Sequence, residues 1–354
     1  MHQRVHVFQF VRGIHQTRLR SKAKESRPIT ARSSLSSRLV LSVLRSARKR
    51  MALDAIIHRP RYGWWSQIQQ APLPTLARTL YTQRQRLAKA TIYGPESDTD
   101  ITVVCVSDTH NTQPRLPPGD VLVHAGDLTE TGTLKELQAQ LDWLNTQLHA
   151  HRIVIAGNHD ILLEDQLDGA KAAEFGRNPR LLLQWGSVIY LNCTEAQVTV
   201  RGRTLKVYGH PATQKGGNWA FQYTKGTDVF TSRVPDDVDI LITHSPPKYH
   251  LDLVGWGDQY LLQELWRVRP KLHVFGHVHA GRGKDVLHYD KFERLYEGVC
   301  SGRAGVFALV HMVLLLPWML ILGTKRSRKT VLVNAAAVRG FKNQDSRTIQ
   351  SVRI

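Results

Sequence analysis

Seven oxygen and nitrogen donor side chains follow short apolar runs along this sequence of 354 residues. The set combines carboxylates, imidazoles and one amide, which suits hard or borderline divalent cations such as Mn, Fe, Zn or Mg. Seven donors exceed what one ion with an open position requires, and a carboxylate can bridge two ions about 3.5–4 Å apart. The sequence therefore predicts a site for two metals. Its donors are Asp108, His110, Asp127, Asn158, His244, His277 and His279.

The apolar runs that precede these donors are typical of strands buried on both faces. Sites in α/β sheets form at the carboxyl ends of strands, so we expect the donors to meet at one edge of the fold. Leucines spaced three and four residues apart predict a helix over 133–149, between two of the runs. The pattern indicates an α/β fold. The runs cover residues 101–107, 120–125, 153–156, 238–243 and 272–275.

Five short segments of the sequence resemble the calcineurin-like metallophosphoesterase superfamily in their order and approximate spacing. They read SDTH, GDLT, GNHD, THSPP and GHVH. The resemblance covers about residues 100–300 and a closing strand near residue 330, and it is strongest to the branch of small metallophosphoesterase-domain proteins. It implies a four-layer αββα sandwich. It also implies one metal held by Asp108, His110, Asp127 and His279, and a second held by Asp127, Asn158, His244 and His277, with Asp127 bridging.

The resemblance also implies the chemistry of the site. A metal-bridging hydroxide would attack a small phosphodiester or phosphomonoester, which we expect to be nucleotide-like, and manganese is the cation we expect first. His159 would donate a proton to the leaving oxygen. A protonated imidazole needs a carboxylate to orient it, and Asp160 and Glu130 are both candidates. The sequence does not choose between them.

Other aromatic and histidine side chains near these segments have structural interpretations. We expect His124, His210 and His273 to be buried histidines whose hydrogen bonds are satisfied within the fold. Trp219 could stack on a base, although an aromatic cover for a loop is the preferred interpretation.

Two further functions compete with a small-molecule phosphoesterase. A nuclease would need a continuous basic groove, but residues 1–50 alone carry +12 of the net charge of +19. The remaining 304 residues carry about +7, so specific binding of nucleic acid is not expected. The second alternative is a weakly active metal-binding scaffold at a membrane surface. The sequences GDLTETG and GNHDILL lack the arginines of protein Ser/Thr phosphatases, which argues against a phosphoprotein substrate.

Composition divides the chain into three parts. Residues 1–54 form a basic extension that we expect to be disordered or to act as a targeting segment, mitochondrial targeting included. Residues 55–98 are expected to pack on the core, and residues 99–354 form the metallophosphoesterase domain. Three widely spaced cysteines without a Cys-x-x-Cys pair fit a reducing compartment. An intracellular protein, cytoplasmic or membrane-associated, is therefore expected.

Residues 304–323 form an uncharged hydrophobic insertion long enough for one membrane crossing. Basic residues follow it up to position 329, and these could contact anionic lipid head groups. However, the strand predicted over 330–336 should rejoin the sheet that contains Asp108, which places both flanks on one side of a membrane. The sequence favours a helix that lies in the membrane surface or against the protein over a transmembrane helix, and a buried core helix is the third alternative.

Overall fold

The structure, a computed structural model, describes residues 63–92, 99–164, 179–253, 255–322, 328–338 and 347–354. All of these residues belong to the unit Arg61–Ile354. The predicted basic extension over 1–54 lies outside the described residues.

The first of two large sheets contains the strands that precede Asp108, Asp127 and Asn158. Four of its strands run parallel as neighbours, and a fifth, the C-terminal strand, pairs antiparallel with the first. The strands are β1 (Thr102–Val106), β2 (Val121–Ala125), β3 (His151–Ile155), β4 (Val188–Leu191) and β13 (Gln350–Arg353).

The second sheet has six strands in the order β11-β12-β10-β9-β6-β5. Its four central strands are parallel, and each edge strand is antiparallel to its neighbour. Two very short strands, β7 (Thr213–Gln214) and β8 (Gln222–Tyr223), pair separately. The six strands are β5 (Thr194–Val200), β6 (Arg203–His210), β9 (Ile240–Thr243), β10 (Leu272–Phe275), β11 (Gly283–His288) and β12 (Lys329–Asn334).

A two-residue turn, Arg201-Gly202, joins β5 to β6. Val200 pairs with Arg203, and the two residues between them have φ values of 50° and 74°. Two positive φ angles are what a two-residue hairpin turn requires, because this backbone twist matches that of the flanking strands. Glycine at position 202 adopts this geometry at little cost.

The two sheets pack face to face, and helices cover their outer faces. Alternate residues of β1, β2, β3, β9, β10 and β12 form the core between the sheets. The outer face of the first sheet packs on α3 (Leu134–Asn145), and that of the second on α4 (Gln259–Val268). Thr133 begins α3 with a capping box that includes Glu136, which satisfies two main-chain donors at the helix start. The result is a mixed α/β fold.

Four further helices form a helical layer, as we call it below. They are α1 (Trp64–Gln70), α2 (Pro72–Ile92), α5 (Lys291–Cys300) and α6 (Val306–Leu322). Side chains of α2, α5 and α6 share one hydrophobic cluster that includes Tyr81, Phe292 and Met312. The hydrophobic insertion is thus helical and packs on its neighbours. Among the described helices, none combines the length and the apolar character needed to cross a membrane.

The expectation for the strand over 330–336 was wrong in one respect. Strand β12 lies between β10 and β11 in the second sheet, not in the sheet that leads to Asp108. Only the residues after Asn334 reach the first sheet, where Ser107 bonds to the main chain of Ala335 and Ala337. Sequence alone did not separate the two parts, because the apolar pattern continues without a break from one sheet to the other.

Candidate metal centre

The seven donors meet at one end of the two sheets. Asp108 and His110 follow β1, Asp127 follows β2 and Asn158 follows β3, all in the first sheet. The second sheet contributes the residues after its central strands, His244 after β9 and His277 and His279 after β10. The carboxyl ends of parallel strands from both sheets therefore supply the whole set.

The first group of donors comprises Asp108, His110 and His279. The Nε2 atom of His279 lies 3.2 Å from Oδ1 of Asp108 and 3.4 Å from Nε2 of His110. One ligand atom from each of the three residues falls within 4.8 Å of the others. This spacing fits three ligands around a single cation.

The second group comprises Asp127, His244 and His277, with Asn158 beside them. The Nε2 atom of His244 lies 3.3 Å from Oδ2 of Asp127 and 3.3 Å from Oδ1 of Asn158. The same Oδ2 atom of Asp127 lies 3.7 Å from Nε2 of His110, a member of the first group. Asp127 therefore stands between the two groups.

The histidine tautomers are set by main-chain carbonyl groups, which can only accept hydrogen bonds. His110 donates from Nδ1 to the carbonyl of Thr129 at 3.2 Å, and His244 donates from Nδ1 to that of Ala125 at 2.8 Å. The Nε2 atom of each ring therefore faces the carboxylates. Carbonyl groups orient metal-ligating histidines in this way.

The charge balance of the site also fits divalent cations. Burial lowers the pKa of His277 to about 4 and also lowers the pKa of His110, so both imidazoles favour the neutral form that binds metal. Burial opposes ionisation of Asp108 and Asp127, but histidines beside them hold the pKa of each carboxyl below its usual range. Although burial alone would lower it, the charge of Asp127 raises the pKa of His244 to about 9. A proton on His244 here takes the place that a cation would occupy.

The backbone at the site is strained. Asp108, His110, Asp127 and His277 have φ values of 52°, 42°, 54° and 62°, in the left-handed region that residues with a Cβ atom rarely adopt. Such conformations concentrate at functional sites, where they aim a side chain at a cost in stability.

Two glycines bring the main chain close to the ligands. A Cβ atom at Gly157 would collide with Asp127 and would lie 2.6 Å from Cε1 of His244. A Cβ atom at Gly276 would collide with the carboxylate of Asp108. Glycine is required at both positions because the backbone passes within contact distance of a ligand.

His159 lies beside the predicted metal ligands. Its Nδ1 atom donates to the main-chain carbonyl of Glu130 at 2.7 Å, and its own main-chain amide donates to Oδ1 of Asp127 at 2.8 Å. Its ring packs edge-on against His110, with the ring centres 4.6 Å apart. Since Nδ1 carries a hydrogen, Nε2 is the position that can gain and lose a second proton.

The two acids predicted to orient His159 occupy other positions. Asp160 is fully buried, and its carboxylate accepts hydrogen bonds from the main-chain amides of Leu128, Thr129 and Gly157. The carboxylate of Glu130 lies 3.5 Å from Nδ1 of His110. Glu130 instead accepts a hydrogen bond from the imidazole of His159 through its main-chain carbonyl group. Main-chain contacts of this kind leave no signal in residue types.

Asp160 connects the loops that follow β2 and β3. It also accepts a hydrogen bond from the hydroxyl of Thr129 at 2.7 Å. Burial and the nearby charge of Asp127 raise the pKa of Asp160 to about 6, against the effect of these hydrogen bonds. Its contacts hold the backbone on either side of the ligands Asp127 and Asn158.

Three other aromatic side chains stand close to the ligands. Trp219 stacks on His159 with ring centres 4.0 Å apart, a contact the sequence did not predict. His124 and His273 are fully buried, and each pairs through Nε2 with a threonine hydroxyl beside a ligand, Thr109 at 3.0 Å and Thr243 at 2.8 Å. Both histidines are therefore buried with a structural contact, as expected, but Nδ1 of each ring has no hydrogen-bond partner, so the prediction that their hydrogen bonds are satisfied was wrong for that atom.

His210 also has structural contacts within the fold. It is buried, and its ring centre lies 4.7 Å from that of Phe230. Burial lowers the pKa of His210 to about 4, so the ring is neutral near pH 7.

Part of the chain also matches a protein-family model. Residues 101–281 match the model described as calcineurin-like phosphoesterase. These residues include all seven donors and His159. The chain belongs to the calcineurin-like phosphoesterase family, whose members are hydrolases that act on phosphoester bonds.

Two similar proteins are both longer than the part that matches this chain. A protein named metallophosphoesterase domain-containing protein 1, from Homo sapiens, is 39% identical over 204 residues, which cover 51% of this chain and 61% of that protein. A protein of Emericella nidulans named probable rhamnogalacturonate lyase C is 43% identical over 302 residues, which cover 83% of this chain. The chain spans only 28% of the length of that second protein.

Among solved structures, a phosphopantetheinyl hydrolase from Mycobacterium tuberculosis aligns over 53% of this chain and 86% of its own. Its sequence identity is 14% and the TM-score is 0.33.

Proposed function

We propose that this protein is a metal-dependent phosphoesterase whose site holds two divalent cations. The observation that carries the proposal is the pair of donor groups joined by Asp127, a carboxylate within 3.7 Å of histidines from both. Such cations, when bound, neutralise phosphoryl charge and make a coordinated water acidic. Oxygen and imidazole ligands without thiolates suit manganese first, with Fe, Zn or Mg as alternatives.

The residues of the chain divide the remaining work. Asp127 holds the two donor groups in one geometry, and it also accepts the main-chain amide of His159. That hydrogen bond and the bond from Nδ1 to the carbonyl of Glu130 fix His159 at both ends. The Nε2 atom is then placed to give a proton to the leaving oxygen, as a general acid. The carbonyl of Glu130 replaces the carboxylate partner expected from sequence.

The proposed substrate is a small phosphodiester or phosphomonoester, with a nucleotide-like group as the preferred class. Trp219 supports this class because it presents an aromatic ring beside His159 and remains 36% exposed. An aromatic ring can stack on a base irrespective of its identity. Substitution of Trp219 by Leu should raise KM for nucleotide esters more than for p-nitrophenyl phosphate esters.

The direct test is hydrolysis of bis-p-nitrophenyl phosphate by the full chain with added manganese. The proposal predicts turnover that chelation abolishes and manganese restores. If the protein binds metal but hydrolyses neither phosphodiesters nor phosphomonoesters, the proposed phosphoesterase activity is wrong and a metal-binding scaffold is favoured.

A further inference from the structure

One side of helix α6 presents exposed apolar side chains that have no function in the proposed reaction. The exposed fractions of Phe307, Leu314 and Trp318 are 92%, 62% and 62%. Val310 and Val313 are each 50% exposed. Phe307, Val310, Leu314 and Trp318 recur every three or four residues, so they share one face of the helix. We call these five residues the α6 face.

The opposite side of α6 packs against the rest of the helical layer. Met312 is fully buried, and Ala308, Leu309, Leu315 and Leu316 pack in the cluster shared with α2 and α5. To span a bilayer, the helix would have to withdraw these side chains from that cluster. A helix that is apolar on all sides is normally covered on all sides, but the α6 face is exposed in the part of the helix whose side chains the structure describes.

The charges around α6 select among possible partners. Residues 298–344 contain seven Lys or Arg and no Asp or Glu. Arg303 precedes the helix, and Arg328 and Lys329, both exposed, follow it. A second copy of the chain would bring an equally basic segment to the interface. The N-terminal fifty residues carry +12 and would be repelled in the same way.

We propose that the α6 face inserts into the surface of a bilayer that contains anionic phospholipids, with the helix lying along the membrane plane. Apolar side chains would enter the acyl boundary, and the basic residues at both ends would contact lipid phosphates. Trp318 suits this position because indole rings prefer the region between head groups and acyl chains. Helix α1 of the same layer exposes two more tryptophans, Trp64 at 46% and Trp65 at 73%.

The helical layer is also connected to the candidate metal centre. The hydroxyl of Tyr296 on α5 donates to the main-chain carbonyl of Tyr249 at 3.0 Å. Tyr249 lies in the loop that begins directly after His244 and packs against the cluster shared by α2, α5 and α6. Membrane binding would therefore bring the candidate metal centre to the lipid surface.

The test is flotation of the full chain with vesicles of phosphatidylcholine alone and of phosphatidylcholine with 30% phosphatidylserine. The proposal predicts binding to the anionic vesicles that weakens at high salt. The double variant Phe307→Gln, Trp318→Gln should bind them at least tenfold more weakly. The matched control is Leu181→Gln, Leu182→Gln, because these leucines are 80% and 67% exposed outside the helical layer. This control should bind like the wild type.

Three results would overturn the proposal. The first is wild-type binding by the Phe307→Gln, Trp318→Gln variant, and the second is equal binding to both kinds of vesicle. The third is a wild-type dimer in solution that the variant abolishes while vesicles capture neither protein, since a second copy would then cover the α6 face. An unchanged melting temperature shows that the variant is folded. If the variant is not folded, a fluorophore is attached to Val310→Cys in a Cys193→Ser background instead. Its emission must then shift to that of an apolar environment when anionic vesicles are added.

Discussion

Two groups of histidines and carboxylates in this molecule have similar composition but different surroundings. One is the candidate metal centre, and the other is the buried group of His250, Glu293 and Glu297 between the helical layer and the second sheet. In both, ligand-type atoms lie within 4.8 Å of one another. The chemistry expected of each therefore depends on what neutralises the carboxylates.

In the buried group, the protein itself supplies the positive charge. Arg84 lies 3.0 Å from Glu293 and also pairs with Asp290. Burial alone would lower the pKa of His250, but the carboxylates of Asp285, Glu297 and Glu293, all within 3.9 Å of its ring nitrogens, raise it to about 10. Arginine and imidazolium thus take the place of a cation. None of His250, Glu293 and Glu297 has a positive φ.

At the candidate metal centre, the ion pairs found for Asp108 and Asp127 among the described residues involve only histidines. Burial shifts the pKa of His110 and of His277 toward the neutral form, whereas Asp127 raises that of His244, and four of the donor residues have left-handed backbones. The two groups therefore differ in two respects: Arg84 pairs with carboxylates of the buried group, and only the candidate metal centre has donor residues with left-handed backbones. The buried group should instead be structural.

The largest effect should follow Asp127→Asn. This change removes the charge shared by both donor groups, and we expect turnover to fall by about 10⁴-fold, which corresponds to ~5.5 kcal/mol. Loss of His279 or Asn158 should cost less. The control is Asp142→Asn, an exposed carboxylate on α3. Steady-state rates with a nitrophenyl diester measure all four variants, and near-normal turnover in Asp127→Asn would remove the basis of the comparison.

The stabilising charge of His250 should make the free energy of unfolding depend on pH. A folded-state pKa of about 10, above the usual 6.5, means that the contribution is complete below about pH 6.5 and is lost as the pH rises through about 10. At 1.36 kcal/mol per pKa unit, the loss is on the order of 3–5 kcal/mol. We expect the free energies of unfolding of wild type and His250→Gln to differ most near pH 6 and to converge toward pH 10. A constant difference would contradict a charged His250.

Arg84→Met should destabilise the fold without changing the chemistry. Removal of one partner from a buried ion pair costs roughly 3–5 kcal/mol, because the other charge is left without compensation. The matched control is Arg86→Met on the same helix, where the side chain is exposed. Denaturant unfolding should separate the two variants while kcat with manganese stays near the wild-type value. Loss of kcat in the folded Arg84→Met protein would show that the buried group takes part in catalysis.

His159→Ala should leave the metals bound and reduce the rate by about 10²-fold. The reduction should be larger for esters with basic leaving groups, since they depend most on a proton donor. A series of aryl and alkyl phosphate esters measures this dependence. The same loss for every leaving group would exclude a general acid at this position.

The sequence predicted the donors at the strand ends because local spacing determines them. Asp108 and His110 must leave β1 together, and parallel strands must end on the same side. The contacts made by Glu130 and Asp160 were not predictable, because main-chain groups supply the partners of His159 and Asp160. Strand β11 and helix α5, which carries Glu293 and Glu297, were also missed. The spacing of Phe292, Tyr296 and Val299 and the N-cap Asp290 are signals that could have predicted α5.

The metal content of the purified chain tests the comparison most directly. After incubation with manganese and removal of the excess, mass spectrometry should find two ions per wild-type chain, two in Glu297→Gln and fewer than two in Asp127→Asn. This result would place both ions at the Asp127 site and none at the buried group. Three ions in the wild type that fall to two in Glu297→Gln, or two ions retained in Asp127→Asn, would contradict the account.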